Sequence, residues 1–442
     1  MDSLNDRLKK YQDSNMTRMH MPGHKGNPQL VPSYYADDLT EIEGLDNLHC
    51  PTGVLKKLEE DAAGLWGAQG AVLSVNGATA PILSAVMTAS SMGKILVASN
   101  CHMSVWHALE LSGADFKILD PMTDPTFPFC LSIDPSLVAS ELEEDPAIKT
   151  LIITSPTYEG VVSDVSTVYE ITKEHGATLI VDEAHGAHLG LNGLFPPSSV
   201  ADIVIKSIHK TLHAPTQTAV LLNFSDRIDM TLVRHYMDIF ESSSPSYLLM
   251  SGICRVVADL KTNPEITEPW VKSLIICREA LKDRLSHLSL FDYPSVDPSK
   301  LVILCSGVIT GTDLASKLKE NGIEIEAAFD THIIAMTGIG DNEGTLTRFK
   351  DALLKIDRDL QGSVSRNYPH FLPSNRESLS MPIKEAVLSQ TVTIPKEDSV
   401  GMVSAQYAFK YPPGIPVILP GQVITEDLIP LIPYKMLKVV CG

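Results

Sequence analysis

The sequence has no run of eighteen apolar residues, and its opening, MDSLNDRLKKYQDSNMTRM, lacks the apolar stretch of a secretory leader. Neither a membrane span nor a signal peptide is expected, which points to the cytoplasm. No C-x-x-C pair occurs among Cys50, Cys101, Cys130, Cys254, Cys277, Cys305 and Cys441, and their number is odd. That argues against a disulfide frame and for reduced thiols. Positive charge is scarce, with 35 Lys and Arg against 54 Asp and Glu and a formal net charge of -19. Phosphate backbones would be repelled, so nucleic acid is not an expected partner. Such acidity is a common solubility feature, and it also favours the approach of a cationic small molecule. Internal repeats and low-complexity tracts are absent as well. The 44% hydrophobic and 20% charged fractions are those of an ordinary globular protein.

A chain of 442 residues is too long for one simple core and predicts two domains with an extra arm. Residues 1–60 read as an arm with active-site loops. Residues 61–265 read as a large domain, 266–365 as a smaller α/β domain and 366–442 as a C-terminal extension. A helical run at 54–66 opens a regular pattern of apolar strands, at 71–75, 95–98, 116–119, 151–154, 178–181, 203–205 and 219–222, alternating with helices. Fully apolar strands in that alternation predict an α/β fold, a mainly parallel seven-stranded sheet with helices on both faces. Ligands of such sheets bind beyond the carboxyl ends of the strands. Beyond Pro264, a charged helix at 268–285 with Pro269 in its first turn precedes strands at 300–305 and 333–337 and helices at 313–321 and 343–360. Residues 366–377 look like a linker, and the proline-rich KYPPGIPVILPG (410–421) suits rigid turns rather than helix.

The motif on which the chemistry turns is ADIVIKSIHKTLHAPTQTAVLLNF (201–224), where an apolar run breaks at Ser207, Ile208, His209 and Lys210 and resumes at 218. Lysines are mostly solvated surface residues. A lysine at the mouth of two buried strands is different, because a desolvated ammonium loses its proton readily and the free amine can join an aldehyde. Upstream, TLIV (178–181) ends in Asp182, Glu183, Ala184 and His185. A carboxylate directly after four apolar residues is costly unless paired, so Asp182 should face a cation or a metal. The strand at 71–75 runs into Asn76, Gly77, Ala78 and Thr79, with Pro81 where the first turn of a helix should begin. Free N–H groups there could hold a phosphate, although no G-K-[ST] of a Walker loop follows. His102, after the strand at 95–98, could lie flat on an aromatic cofactor ring or serve as a structural hydrogen-bonding residue. Thr157 and Tyr158, after the strand at 151–154, are candidates for polar ligand contacts or simple turn residues. His20 and His24, and His209 and His213, have zinc-pair spacing. Pro22 and Gly23 break the first pair's helix and no third ligand follows the second, so no metal is expected.

Together these residues resemble the pyridoxal-phosphate enzymes of the aspartate-aminotransferase fold (fold type I), and among them the short form of the ornithine/lysine/arginine decarboxylase family. The resemblance is carried by HMPGHKG (20–26), DLTEIEGLDNLHCPTG (38–53), VNGATAP (75–81), SPTYEGVVSD (155–164), VDEAHGAHLG (181–190), KSIHKTLHAPTQTA (206–219), SSSPSY (242–247) and YPPGIPVILPG (411–421), and covers nearly the whole chain. It implies pyridoxal 5'-phosphate as cofactor, joined to Lys210, with Asp182 on the ring nitrogen and His102 stacked on the ring. Gly77, Ala78, Thr79, Ser207 and His209 would form the phosphate cup, and His185 would lie near the substrate carboxylate and ring hydroxyl. The implied reaction converts arginine, lysine or ornithine to a polyamine-type amine and CO2, with Lys210 as the proton donor to Cα. Glu41, Glu43, Asp46, Glu326 and Asp330 are candidates to receive the substrate's distal cation. SSSPSY and the arm are similar to parts that reach a neighbouring subunit's site, which implies a homodimer or a higher homo-oligomer with shared active sites. Met103, Cys50 and Gln422 depart from the pattern, at positions that bear on substrate choice and product release. An aminotransferase of the same fold would need a carboxylate-clamping arginine, for which Arg278, Arg284 and Arg348 have no motif around them. A non-catalytic regulatory relative would not need Lys210, Asp182 and His102 together.

Overall fold

Seven short apolar segments fold into a single sheet in the computed structural model, which describes residues 2–14, 16–362, 379–410 and 414–441. They are β1 (Gly70–Ser74), β2 (Lys94–Ala98), β3 (Phe116–Leu119), β4 (Ile148–Thr154), β5 (Thr178–Asp182), β6 (Ile203–Ser207) and β7 (Ala219–Asn223), in the order β1-β7-β6-β5-β4-β2-β3. All seven coincide with strands read from the sequence to within a few residues. Pairing is parallel from β6 through β5, β4 and β2 to β3, while β7 runs antiparallel to both β6 and β1. Consequently β1, β2, β4, β5 and β6 all point their carboxyl ends to one edge. Every residue of β5 and β6 is buried, because helices cover both faces. Each buried Leu, Ile or Val contributes about 1.5–3 kcal/mol relative to exposure.

The polar opening of the chain folds as a helix, Leu4–Asp13, whose capping box joins Ser3 and Asp6. Its buried Leu4 and Leu8 belong to the same apolar core as β1–β7, so this first part of the arm is docked rather than loose. The helix Val54–Trp66 runs through residue 60 and ends at Gly67, in left-handed conformation.

A second sheet contains β8 (Ser289–Leu290), β9 (Lys300–Leu304), β10 (Ala327–Ala328) and β11 (His332–Met336), in the order β10-β11-β9-β8. All its pairings are antiparallel, even though the helix Gly311–Glu320 lies between β9 and β11. Helices Glu268–Arg284 and Glu343–Asp359 pack with it around a separate core containing Trp270, Leu314, Ile333 and Leu353. In the C-terminal part, β12 (Thr391–Pro395) pairs with β15 (Met436–Val440), and β13 (Ala408–Lys410) with β14 (Ile415–Ile418). The proline-rich tail is thus partly a β-hairpin, where turns alone were expected. Its residues 411–413 and the expected linker at 366–377 lie outside the described residues.

Candidate active site

The common edge of β1, β2, β4, β5 and β6 opens into a cavity of about 720 Å³. Its lining includes the nine residues expected to hold the cofactor: Gly77, Ala78, Thr79, His102, Asp182, His185, Ser207, His209 and Lys210. Strand direction explains this convergence, since each residue ends a strand or lies just beyond a strand's carboxyl end. Thr157 and Tyr158 after β4, Glu326 beside β10 and Ile415 of β14 complete the walls. The tail therefore closes over the large sheet's edge.

Lys210 Nζ lies 2.9 Å from His185 Nε2. On the other side of the same imidazole, Lys300 Nζ lies 2.8 Å from Nδ1. Burial pushes the Lys210 ammonium below its ordinary pKa, while Asp182 and Glu326 pull it back. Lys300 is fully buried; burial brings it down to about 8, with Asp297 opposing the shift and Lys210 adding to it. Burial, reinforced by the positive charges of Lys210 and Lys300, holds His185 well below the usual histidine range, so its ring is neutral.

Asp182 is 3% exposed and accepts a hydrogen bond from Ala184 N–H at 3.1 Å. Burial raises its pKa, and Lys210 opposes that rise. Lys210 is the cation whose charge acts on this carboxylate. His102 caps the helix Met103–Ser112: its Nδ1 accepts from Ser104 N–H at 3.3 Å and contacts Ser104 Oγ at 2.8 Å. Burial lowers its pKa to about 4, leaving a neutral ring with Nε2–H. His209 donates from Nδ1 to Thr218 O at 3.0 Å.

Gly77 sits at φ +66°, left-handed backbone that favours glycine, and its N–H donates to Gln217 O at 2.7 Å. The helix Thr79–Ala89 that follows has no side-chain cap on Ala78. Ala78 and Thr79, at this uncapped helix start, line the cavity. Asn100 Oδ1, on the same wall, is buried without a hydrogen-bond partner among the described residues.

Other expectations fall elsewhere. Glu41, Glu43, Asp46 and Asp330 are not among the lining residues. Asp46 instead accepts N–H groups from Thr52, Gly53 and Leu55 at the start of the helix Val54–Trp66. His20 contacts Tyr11 Oη at 2.6 Å, His24 pairs with Asp38 at 3.0 Å and His213 with Asp259 at 3.1 Å. Arg278 is occupied by Pro298 O and Lys300 O, and no arginine among the described residues lines the cavity, so the clamp an aminotransferase needs is not found there. Gln422 Oε1 accepts from Leu419 N–H at 3.2 Å, within the tail.

Lys300 escaped the reading of the sequence, which treated it as the first residue of a strand. A signal was present, since a lysine heading the apolar run LVIL meets the same desolvation argument that marked Asp182.

Comparison with known proteins bears on the family and the fold. An arginine decarboxylase of Halalkalibacterium halodurans is 30% identical, over 93% of this chain and 89% of that protein. The uncharacterized protein YaaO of Bacillus subtilis is 32% identical, over 93% and 90%. The crystal structure of a Francisella novicida lysine decarboxylase superposes with a TM-score of 0.84 at 18% identity, over 99% of this chain and 81% of that one, which establishes the shared fold. The family model described as Orn/Lys/Arg decarboxylase, major domain, matches residues 3–301, and that of the C-terminal domain matches residues 365–440. With the larger match alone spanning well over half its length, the chain belongs to the Orn/Lys/Arg decarboxylase family.

Proposed function

We propose that the cavity binds pyridoxal 5'-phosphate and that the enzyme decarboxylates a basic amino acid, arginine, lysine or ornithine, to the corresponding amine and CO2. The observation that carries this reading is the buried carboxylate of Asp182 in the same cavity as the desolvated amine of Lys210. The residues present fit the cofactor. Asp182 is a desolvated anion suited to a protonated ring nitrogen. The uncapped start of the helix Thr79–Ala89 suits a phosphate, and the unpartnered Asn100 Oδ1 is a buried acceptor in want of a donor.

In this assignment Lys210 would hold the cofactor through its amine, and Asp182 would face the ring nitrogen and favour its protonated form. The bound cofactor supplies an electron sink for the pair released as CO2 departs. His102, neutral and half-buried, offers a flat face for the ring. Ala78 and Thr79 N–H and the Ser207 hydroxyl are donors for the phosphate. Gly77 contributes its backbone shape rather than its N–H, which Gln217 already occupies. His209, donating to Thr218 O through Nδ1, can donate to phosphate from Nε2 only as imidazolium. His185 holds Lys210 Nζ in place, and Lys210 in its ammonium form is the proton donor to Cα. Of the acidic residues considered for the distal cation, Glu326 lines the cavity and already accepts from Tyr158 Oη at 3.0 Å.

We also infer association of at least two copies, supported by the exposed Met16, Met19, Met21, Leu30 and Tyr34 along the arm. No disulfide forms among the described residues, which supports a reducing compartment, the cytoplasm, and the product class suits polyamine biosynthesis. The division near residues 60, 265 and 365 belongs to the same reading, supported by the separate sheets and cores. Purified protein with the cofactor should show a visible band that borohydride removes, and should release CO2 from at least one of the three amino acids. Lys210→Ala should lose both. A visible spectrum unchanged by that substitution would overturn the lysine assignment.

A further inference from the structure

We propose that Lys300, His185 and Lys210 share one excess proton, with Lys300 as a positioning residue that holds Lys210 as a free amine through the His185 ring. The inference deepens the reading of Lys210 given above, and rests on it for its catalytic use. It starts from a count of donors. A neutral imidazole has one N–H and one lone pair, yet an Nζ atom lies within hydrogen-bond distance of each ring nitrogen, at 2.9 Å and 2.8 Å. An ammonium can donate but cannot accept. Both contacts are therefore hydrogen bonds only when at least one of the two lysines is the free amine.

Two arrangements with one positive charge satisfy the ring. In the first, the Lys300 ammonium donates to Nδ1 and Nε2–H donates to the Lys210 amine. In the second, the Lys210 ammonium donates to Nε2 and Nδ1–H donates to the Lys300 amine. Passage from the first to the second breaks one N–H bond on Lys300, forms one on Lys210 and exchanges the ring tautomer. Charge and protons balance without any other reactant. Lys210 must be unprotonated to join an aldehyde and protonated to act as an acid. The first arrangement serves the former need and the second the latter.

The surroundings favour a charge that can move. Lys300 is influenced by the Asp297, Glu326 and Glu159 carboxylates and by the Lys210 charge, and its Nζ lies 5.8 Å from the centre of the Tyr158 ring. Lys210 is influenced by Asp182 and Glu326, and His185 by His102 and His209 besides the two lysines. Asp297 is engaged by His188 at 3.0 Å and by Ser299, so it attracts Lys300 without an ion pair that would lock the proton there. The pKa of Lys300, brought down to about 8, agrees with a lysine able to release its proton near neutral pH. Gly160 leaves room for this side chain. A Cβ there would stand 2.8 Å from Lys300 Cγ, and at φ +94° the backbone favours glycine.

The test uses the full chain stripped of cofactor, so that it does not depend on turnover. Trace labelling with acetic anhydride across pH, read by mass spectrometry of the peptide carrying Lys210, reports the free-amine fraction. In the wild type, Lys210 should remain reactive near neutral pH; loss of labelling near the ordinary lysine value of 10.5 would overturn the proposal without any variant. Lys300→Met removes the alternative proton holder, so the Lys210 midpoint should rise by about one pH unit, a roughly tenfold lower free-amine fraction at a given pH below it. Lys300→Arg retains a charge that cannot be released, so the midpoint should stay at or below that of the wild type. Superimposable profiles for wild type and either folded Lys300→Met or a Lys300→Gln substitute would reduce Lys300 to packing and sink the relay. Visible absorbance after cofactor is restored is scored separately. A colourless wild type would refute the cofactor reading while leaving the labelling result to stand or fall by itself.

Discussion

Replacing Asp182 by asparagine changes one charge and almost no shape. The side-chain oxygen that accepts from Ala184 N–H at 3.1 Å is kept, so the turn after β5 should survive. What is lost is a carboxylate that is 3% exposed, deep enough for solvent to screen it weakly. Removing one partner of a buried charge pair costs about 3–5 kcal/mol. If that loss falls on the step in which the ring nitrogen must stay protonated, kcat drops by roughly two to four powers of ten. Cofactor occupancy should change far less, because the phosphate and Lys210 also hold the group. Paired measurements of CO2 release and of the visible band separate the two effects. The substitution also removes a charge that favours the Lys210 ammonium, so the Lys210 labelling midpoint should move to lower pH. Near-wild-type turnover at full occupancy would refute the reasoning, and so would a midpoint that moves upward.

Glu326→Gln should leave the cofactor band intact and lower kcat/KM for the basic amino acid by roughly 5–150-fold, the equivalent of about 1–3 kcal/mol for a charge-assisted contact at the cavity wall. An unchanged kcat/KM would send the distal-cation assignment elsewhere. Lys206→Met strands the fully buried Glu183 carboxylate, its ion-pair partner, and should cost about 3–5 kcal/mol in urea denaturation, while adding Glu183→Leu should recover much of that loss. A double variant no more stable than the single one would contradict that account. His49 contacts Asp238 at 2.9 Å and Ser242 O at 2.9 Å, and although partial burial opposes it, these acceptors raise its pKa above the usual 6.5. Because the folded value is the higher one, this tether is complete below pH 6.5 and is lost as pH rises through the folded-state value. Hydrogen exchange around residues 46–53 should accordingly quicken with rising pH beyond the intrinsic rate increase, and His49→Gln should abolish that excess.

Much of the site was legible in the chain because its logic is local. Seven apolar runs of strand length, each ending in a polar residue, predict both the sheet and the edge where Asp182, His185, Ser207 and Lys210 emerge. Desolvation marks a carboxylate after TLIV without any knowledge of its neighbours, and the order of the motifs pointed to the family before any fold was seen. The distal-cation candidates were not separable in the same way. Glu41, Glu43, Asp46 and Glu326 are equally acidic as letters, and only the path of the backbone puts Glu326 on the wall while committing Asp46 to a helix start.

The sequence by itself determined the alternation of strands and helices, the polar turn at the end of each strand and the residue types available for amine and carboxylate chemistry, because burial and backbone geometry act over a few neighbouring residues. Tertiary structure alone decided that Lys300 meets His185 across 115 positions of chain, that the tail closes over the edge of the large sheet, and that strands at 300–304 and 332–336 pair antiparallel. Those outcomes depend on how separately formed layers dock, and docking is set by the summed shape of many side chains that no single stretch of sequence contains.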